Sequence, residues 1–277
     1  SRSSPPRRRT PVSMDSDRNF DDLAPRFANN VYGGLKGALR LAVLQRDFAQ
    51  FLPQALVADG TPALRILDAG GGQGQFGLQL AAQGHALVLC DISAQMLELA
   101  RANALDKGLS NIDIRQCSIQ DMSALQLSGE DEPYDLVLCH AVLEWVVDQQ
   151  GLIDALLPLV KVGGILSLTF YNRHGLIMKN LLRGTRPAIL DAAYKPNPGS
   201  LTPTRPLDPV QVLQCFEKDQ WGILCHSGIR VIHDFLLSPE SRTMPEDTLM
   251  RLELELSRQE PYRSLGRYQH LLVQRLC

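Results

Sequence analysis

The sequence predicts an α/β fold: a doubly wound, mostly parallel seven-stranded sheet with helices ahead of it and a basic insertion after its fifth strand. Three observations carry this. From about residue 64 short apolar runs alternate with amphipathic stretches, the first run breaks into a glycine-rich turn, and the second ends in an aspartate. With 277 residues, 44% of them hydrophobic and 21% charged, the chain has the material for one large core. It contains no uninterrupted apolar run of about 18 residues, the length a membrane-spanning helix needs.

Taken in order, residues 1–17 are rich in Ser, Pro and Arg and have the composition of a disordered basic tail. No apolar stretch follows the three adjacent arginines, so they do not read as a secretory leader. A helical cap is expected over 18–60, with one helix across Asp21–Asn30 and a second across Leu35–Leu52, joined around Gly33-Gly34. The second repeats apolar residues at Leu35, Leu39, Val43, Leu44 and Phe48, a helical period.

Residues 61–171 form the expected ligand-binding core. Leu64–Leu67 is a short buried strand that breaks at Asp68 into Gly70-Gly-Gly72-Gln-Gly74, and Phe76–Ala82 is a helix closed by Gly84. Ala86–Cys90 is a second strand ending at Asp91, and Ser93 is placed to cap a helix running to about Lys107. Ile112–Gln116 is a third strand ending near Asp121; Tyr134–His140 is a fourth, and Val162-Gly-Gly turns into a fifth that ends at Phe170. The stretch 172–207 reads as a basic insertion or lid, and 208–277 completes the sheet. That last part offers a helix at Pro209–Phe216, strand material at Trp221–Cys225 and Ile229–Ile232, a helix carrying Leu249, Leu252, Leu254 and Leu256, and a final strand at Gln269–Val273. In such sheets ligands bind beyond the carboxyl ends of the strands.

Charge and cysteine usage narrow the class. The net charge of −2 argues at first against nucleic acid, but it divides unevenly along the chain. Residues 1–13 carry +4, residues 14–170 carry −9 and residues 171–277 carry +3. Within 172–206 six bases, Arg173, Lys179, Arg183, Arg186, Lys195 and Arg205, face the single acid Asp191. That is an acidic module joined to a basic part able to meet phosphates. The six cysteines include no C-x-x-C, which favours neither a disulfide framework nor a structural zinc and leads to the expectation of a reducing, cytoplasmic setting without a metal.

Gly72-Gln-Gly74-Gln-Phe-Gly77 fits G-x-G-x-x-G, a weak signal alone, since strand-to-helix turns are often glycine-rich. Asp68 ahead of the glycines changes its meaning. A pyrophosphate loop wants backbone N–H groups and no fixed anion, whereas an acid there suits a ligand end that carries an ammonium group. Asp91, 19 residues beyond Gly72, is placed to accept both hydroxyls of a ribose, and Asp121 to accept from an adenine amino group.

Asp68-Ala-Gly70-Gly71-Gly72-Gln-Gly74, the acid ending the next strand, the Tyr134–His140 strand and the Val162-Gly-Gly turn together resemble the class I S-adenosylmethionine-dependent methyltransferases, whose sheet is Rossmann-like. A narrower resemblance spans about residues 18–275. Arg18-Asn-Phe-Asp-Asp22, Lys36-Gly-Ala-Leu-Arg40, His140-Ala-Val-Leu-Glu-Trp145, Phe170-Tyr-Asn-x-His-Gly175, Gly228-Ile-Arg-Val-Ile-His-Asp234 and Gln259-Glu-Pro-Tyr-x-x-Leu-Gly-Arg-Tyr268 are similar to the bacterial tRNA 5-carboxymethoxyuridine methyltransferases. The resemblance implies S-adenosyl-L-methionine as cofactor, tRNA engaged at its anticodon loop as partner, and methylation of the carboxylate of 5-carboxymethoxyuridine at the wobble position.

It also implies roles. Arg40 caps the carboxylate of the cofactor's methionine end; Asp68 faces its ammonium; Gly70, Gly71 and Gly72 let the backbone approach it; Asp91 takes the ribose; Ile119 and Gln120 flank the adenine. His140, at the end of the fourth strand, contacts the methionine moiety or the substrate. Tyr171, His174, Arg230, Tyr262 and Arg267 are candidates for holding the substrate, because an extruded anticodon base needs a stacking face and its carboxylate a cation. No general base is required, since a carboxylate with a pKa near ~4 is already ionised at neutral pH. Three alternatives stand beside this: a methyltransferase for a small carboxylic acid or quinone-like metabolite, a non-catalytic tRNA-binding protein, and a nicotinamide dinucleotide fold.

Overall fold

The computed structural model describes residues 34–57, 62–191 and 205–277. The expected basic tail, the helix across 21–30 and part of the insertion lie outside the described residues.

Strand β1 (Arg65–Ala69) pairs with β2 (Ala86–Asp91) on one side and β4 (Tyr134–His140) on the other; β3 (Ile112–Gln116) lies outside β2 and β5 (Val160–Tyr171) outside β4. The sheet is completed by β7 (Tyr268–Arg275) and β6 (Trp221–Ile229), giving the order β3-β2-β1-β4-β5-β7-β6. Strand β7 runs antiparallel to both of its neighbours, so β6 again points the same way as β1 to β5. The carboxyl ends of β1, β4, β5 and β6 therefore meet the start of β7 along one edge of the sheet, with Tyr171 opposite Tyr268 and Ile229 opposite Tyr268.

Both faces of the sheet are buried, which is why its strands read as nearly continuous apolar runs. Leu67, Val137 and Cys139 point into one core with Leu152 and Leu156, while Ile66, Leu136 and Leu138 point into the other with Leu44 and Phe48. The second core is covered by α1 (Gly34–Phe51), whose apolar repeat lays Leu39, Val43, Leu44 and Phe48 against the sheet. Phe48 meets Phe76 of α2 (Gln75–Ala82) edge to face at 5.1 Å. Ser93 caps α3 (Ala94–Asp106) as its sequence position predicts, its hydroxyl accepting from the Met96 N–H at 3.1 Å.

The structure departs from the sequence expectation in four places. A helix, α4 (Ile119–Leu127), stands between β3 and β4; its short, weakly periodic text hid it, and it places Asp121 in an exposed first turn rather than at a strand tip. The segments at Trp221 and Ile229 are one strand that ends at Ile229, because Arg230 adopts a left-handed φ of 58° and turns the chain away. Part of the expected insertion is a helix, α6 (Arg173–Leu182), which follows α5 (Gln149–Leu156) and β5. In α8 (Glu246–Leu256), after α7 (Pro209–Cys215), the buried positions are Leu249 and Glu253, not the whole leucine series.

Candidate active site

The glycine turn after β1 is built over a carboxyl group. Gly70, Gly72 and Gly74 have φ of 67°, 56° and 77°, values that favour glycine. Gly71 has a different reason: a Cβ there would stand 2.5 Å from Asp68 Cγ, so the backbone passes directly over the Asp68 side chain. Burial, and then the nearby Asp91, push the Asp68 carboxyl up to about 7, with Arg40 opposing. At the tip of β2, Asp91 Oδ2 accepts the Gly72 N–H at 2.9 Å and Oδ1 accepts the Ser93 N–H at 2.8 Å.

A cavity of about 500 Å³, counting its open mouth, lies beside this turn, walled by Arg40 from α1, Asp68 and Gly71, Phe76 from α2, and His140 from the end of β4. It presents a guanidinium, a carboxyl group and an imidazole within one space. His140 Nε2 lies 2.7 Å from Ser167 Oγ. Burial, and then the positive charge of Arg40, lower the His140 pKa well below its ordinary value, so its ring is neutral.

A second group of residues gathers where β5 and β6 end and β7 begins. Arg230 Nη2 and Arg267 Nε lie 3.6 and 3.0 Å from the same oxygen, Oδ2 of Asp234. Arg267 Nη1 donates to the Tyr171 hydroxyl at 2.8 Å, and its Nη2 makes no hydrogen bond among the described residues. Tyr171 and Tyr268 pack edge to face at 5.1 Å. Arg40 and Arg230 each lie 5.7 Å from the centre of the Tyr268 ring, which joins this cluster to the cavity. Burial and the charges of Arg267, Arg183 and Lys36, opposed by Asp234, push Lys179 down to about 8. Lys36 is lowered by burial and Arg230. The left-handed turn at Arg230 is held from behind by Glu253, which accepts the backbone N–H groups of Val231, Ile232 and His233 at 2.8, 3.0 and 2.7 Å.

The structure thus brings Tyr171, Arg230 and Arg267 together beside Arg40, Asp68, Gly70, Gly71, Gly72, Asp91 and His140. It does not bring in Tyr262, which is 43% exposed at the start of the short helix α9 (Tyr262–Leu265), and it sets His174 at 3.3 Å from Asp208, partly exposed in the first turn of α6. Gln120 is exposed at the start of α4, and its neighbour Ile119 belongs to the core. The sequence analysis named Lys179 only as one base of the insertion, and it did not single out Lys36, Asp234, Tyr268 or Glu253. Each sits within a few positions of a residue it did single out, but contacts between β6, β7, α1 and α6 are what reveal them.

A family model described as a methyltransferase domain matches residues 61–195. The chain is 42% identical over 260 residues to the tRNA 5-carboxymethoxyuridine methyltransferase of Escherichia coli (strain K12), covering 94% of this chain and 97% of that one. The chain belongs to the tRNA 5-carboxymethoxyuridine methyltransferase family. Membership in this family extends beyond the sheet to the cationic cluster, since the match covers almost all of both chains. The Ubiquinone biosynthesis O-methyltransferase of Pasteurella multocida (strain Pm70) is 33% identical, over 42% of this chain and 50% of its own. Among solved structures, the magnesium protoporphyrin IX methyltransferase of Synechocystis PCC 6803 with bound SAM shares the fold with a TM-score of 0.56 at 15% identity, covering 92% of this chain and 93% of that one. Among the described residues no helix is long and apolar enough to cross a membrane, and no cluster of His, Cys, Asp or Glu is arranged to hold a metal.

Proposed function

We propose that this methyltransferase uses S-adenosylmethionine to esterify the carboxylate of 5-carboxymethoxyuridine at the wobble position of tRNA, giving 5-methoxycarbonylmethoxyuridine. The observation that carries this is the Tyr268 ring, with Arg40 on the cavity side and Arg230 on the cluster side at the same 5.7 Å. It sets a cavity suited to an amino-acid zwitterion next to a buried cationic cluster suited to an anionic methyl acceptor. The donor set fits the cofactor. Arg40 matches a carboxylate bidentately, Asp68 faces an ammonium group and Asp91 accepts from ribose hydroxyls.

When bound, the cofactor supplies an electrophilic methyl group on a sulfonium. The protein's own part is binding and alignment. Arg230 and Arg267 hold one carboxylate oxygen of the acceptor and leave the other free to approach; Tyr171 fixes the Arg267 guanidinium through its hydroxyl. The acceptor is ionised at neutral pH, so no residue has to remove a proton, and the rate comes from proximity and orientation. Arg173, Lys179 and Arg183 on or just after α6, with Arg186 beyond, form a basic surface for anticodon-stem phosphates.

The test is transfer of label from S-adenosylmethionine carrying a labelled methyl group to unfractionated bacterial tRNA, set against transfer to a pool of small carboxylic acids and quinone precursors. Label in tRNA supports the reading. Label confined to the small acids overturns it.

A further inference from the structure

A hydrogen-bonded chain of side chains runs through the core from α1 to the cavity. Asp47 Oδ2 is 2.7 Å from His270 Nδ1, His270 Nε2 is 2.8 Å from Ser167 Oγ, and the same Oγ is 2.7 Å from His140 Nε2. Asp47, Ser167 and His270 are each 0% exposed, and only His140 reaches the cavity wall. Binding and alignment as described above use none of the first three. Burying an aspartate, a serine and a histidine on three different elements is costly unless every donor meets an acceptor.

Counting hydrogens along the chain gives its direction. Burial pushes the Asp47 carboxyl up, but the His270 contact, with Arg258 and Arg46, overrides this and holds it well below the ordinary carboxylate range. Its other oxygen, Oδ1, accepts from Arg258 Nη2 at 2.7 Å and Arg46 Nε at 3.1 Å. An ionised carboxylate only accepts, so His270 Nδ1 carries a hydrogen. Ser167 has one hydrogen and stands between two ring nitrogens, so it donates to one and accepts from the other. The Asp47 charge is already answered by two guanidiniums, so the chain runs outward from His140: His270 Nε2 accepts from Ser167, and Ser167 accepts from His140 Nε2–H. His140 Nδ1 is then a bare acceptor, and it makes no hydrogen bond among the described residues.

We infer that Asp47, His270 and Ser167 are positioning residues that lock His140 as the Nε2–H tautomer and present its Nδ1 to the cavity as an acceptor for a ligand N–H donor, of which an α-ammonium group is the matching chemistry. The inference rests on the proposed cofactor reading of the cavity. It assigns His140 a role in ligand orientation that excludes proton donation from Nδ1, and it gives a reason for polar side chains from α1, β5 and β7 to line up inside the sheet core. Hydrogen-bond partners of this kind fix tautomer and ring orientation in other sites built on histidine.

The experiment uses the full chain labelled with ¹⁵N-histidine. Long-range ¹H–¹⁵N spectra without ligand, with the His140 signals assigned from a His140→Gln variant, are expected to show Nδ1 unprotonated and Nε2 protonated across neutral pH. In Ser167→Ala the His140 signals are expected to shift toward a tautomer mixture, and calorimetry with S-adenosylhomocysteine to show affinity lower by about ten-fold, the loss carried by one hydrogen bond. A protonated Nδ1 in the wild type overturns the inference, and so does Ser167→Ala with unchanged His140 signals or unchanged affinity. The wild-type spectrum decides alone if the variant does not fold. A wild type that shows the tautomer yet binds neither S-adenosylhomocysteine nor S-adenosylmethionine supports the lock and overturns the cofactor reading instead.

Discussion

Arg267 lies 3.0 Å, Nε to Oδ2, from Asp234, a carboxylate buried at the junction of β6 and β7. Arg230 approaches the same oxygen at 3.6 Å, and Lys36 and Lys179 stand close enough to be perturbed by these charges. Burial pushes the Asp234 carboxyl up, but His233, Arg230, Arg267 and Lys179 override it and hold it well below the ordinary range, so it is ionised. One carboxylate against two arginines and two lysines leaves a net positive charge, which suits an anionic ligand.

Arg230→Ala and Arg267→Ala should each lower kcat/KM on tRNA bearing the carboxylated nucleoside by roughly 10- to 100-fold, the range for a lost charge-assisted hydrogen bond. Arg267→Lys should not rescue, because an ammonium cannot reach Tyr171 and a ligand together in the planar geometry of a guanidinium. Steady-state kinetics on tRNA, with S-adenosylhomocysteine affinity measured in parallel, checks this; affinity should stay within about two-fold of wild type.

Asp68 predicts a proton-linked cofactor. Its carboxyl, at about 7, is partly protonated at neutral pH, and an arriving ammonium group favours the ionised form. Binding of S-adenosylhomocysteine at pH 7 should therefore release protons, seen as a calorimetric enthalpy that changes with the ionisation heat of the buffer. Asp68→Asn should abolish that dependence and weaken binding. The same shift bears on stability without ligand. A carboxyl raised in the folded state holds its proton there while the unfolded chain has lost it, so stability falls as pH rises from about 4 toward about 7. Asp68→Asn should lessen that fall in a thermal melt series.

Lys179 predicts a pH limit for tRNA binding. Burial and the cations Arg267, Arg183 and Lys36 push it down to about 8, while Asp234 pulls the other way. Its positive charge is present below that pH and is lost above it. KM for tRNA should rise as pH passes about 8, and Lys179→Met should remove this rise while raising KM at pH 7.

Glu253 predicts the value of a shaped loop. Its carboxylate accepts three consecutive backbone N–H groups behind the left-handed Arg230. Glu253→Gln supplies one carbonyl oxygen in place of two and turns a donor toward those groups. It should cost about 1–3 kcal/mol of stability and reduce methyl transfer more than it reduces S-adenosylhomocysteine affinity. Urea melts and parallel binding isotherms measure both.

Most of the fold was legible because a sheet buried on both faces writes its strands as apolar runs; Ile112–Gln116 and Tyr134–His140 match β3 and β4 residue for residue. The α4 helix escaped because only Ile119, Met122 and Ser123 are buried in it, too few to mark a period. Around the glycine turn Asp68, the glycines and Asp91 are near one another in sequence, so spacing exposed them. The cationic cluster is assembled from α1, β5, α6, β6 and β7, which meet only in three dimensions. Arg230 and Arg267 could be named from the family resemblance, but Asp234 between them could not be read as their partner. The Asp47–His270–Ser167–His140 chain lies further still from any sequence signal, since Asp47 and His270 are 223 residues apart.

The most direct measurement is mass spectrometry of nucleosides from bacterial tRNA incubated with the purified protein and S-adenosylmethionine. Loss of 5-carboxymethoxyuridine, with an equal gain of a nucleoside one methyl ester heavier that mild alkali converts back, is the expected result. Unchanged 5-carboxymethoxyuridine, or a new methyl group that survives alkali, would contradict a carboxylate acceptor.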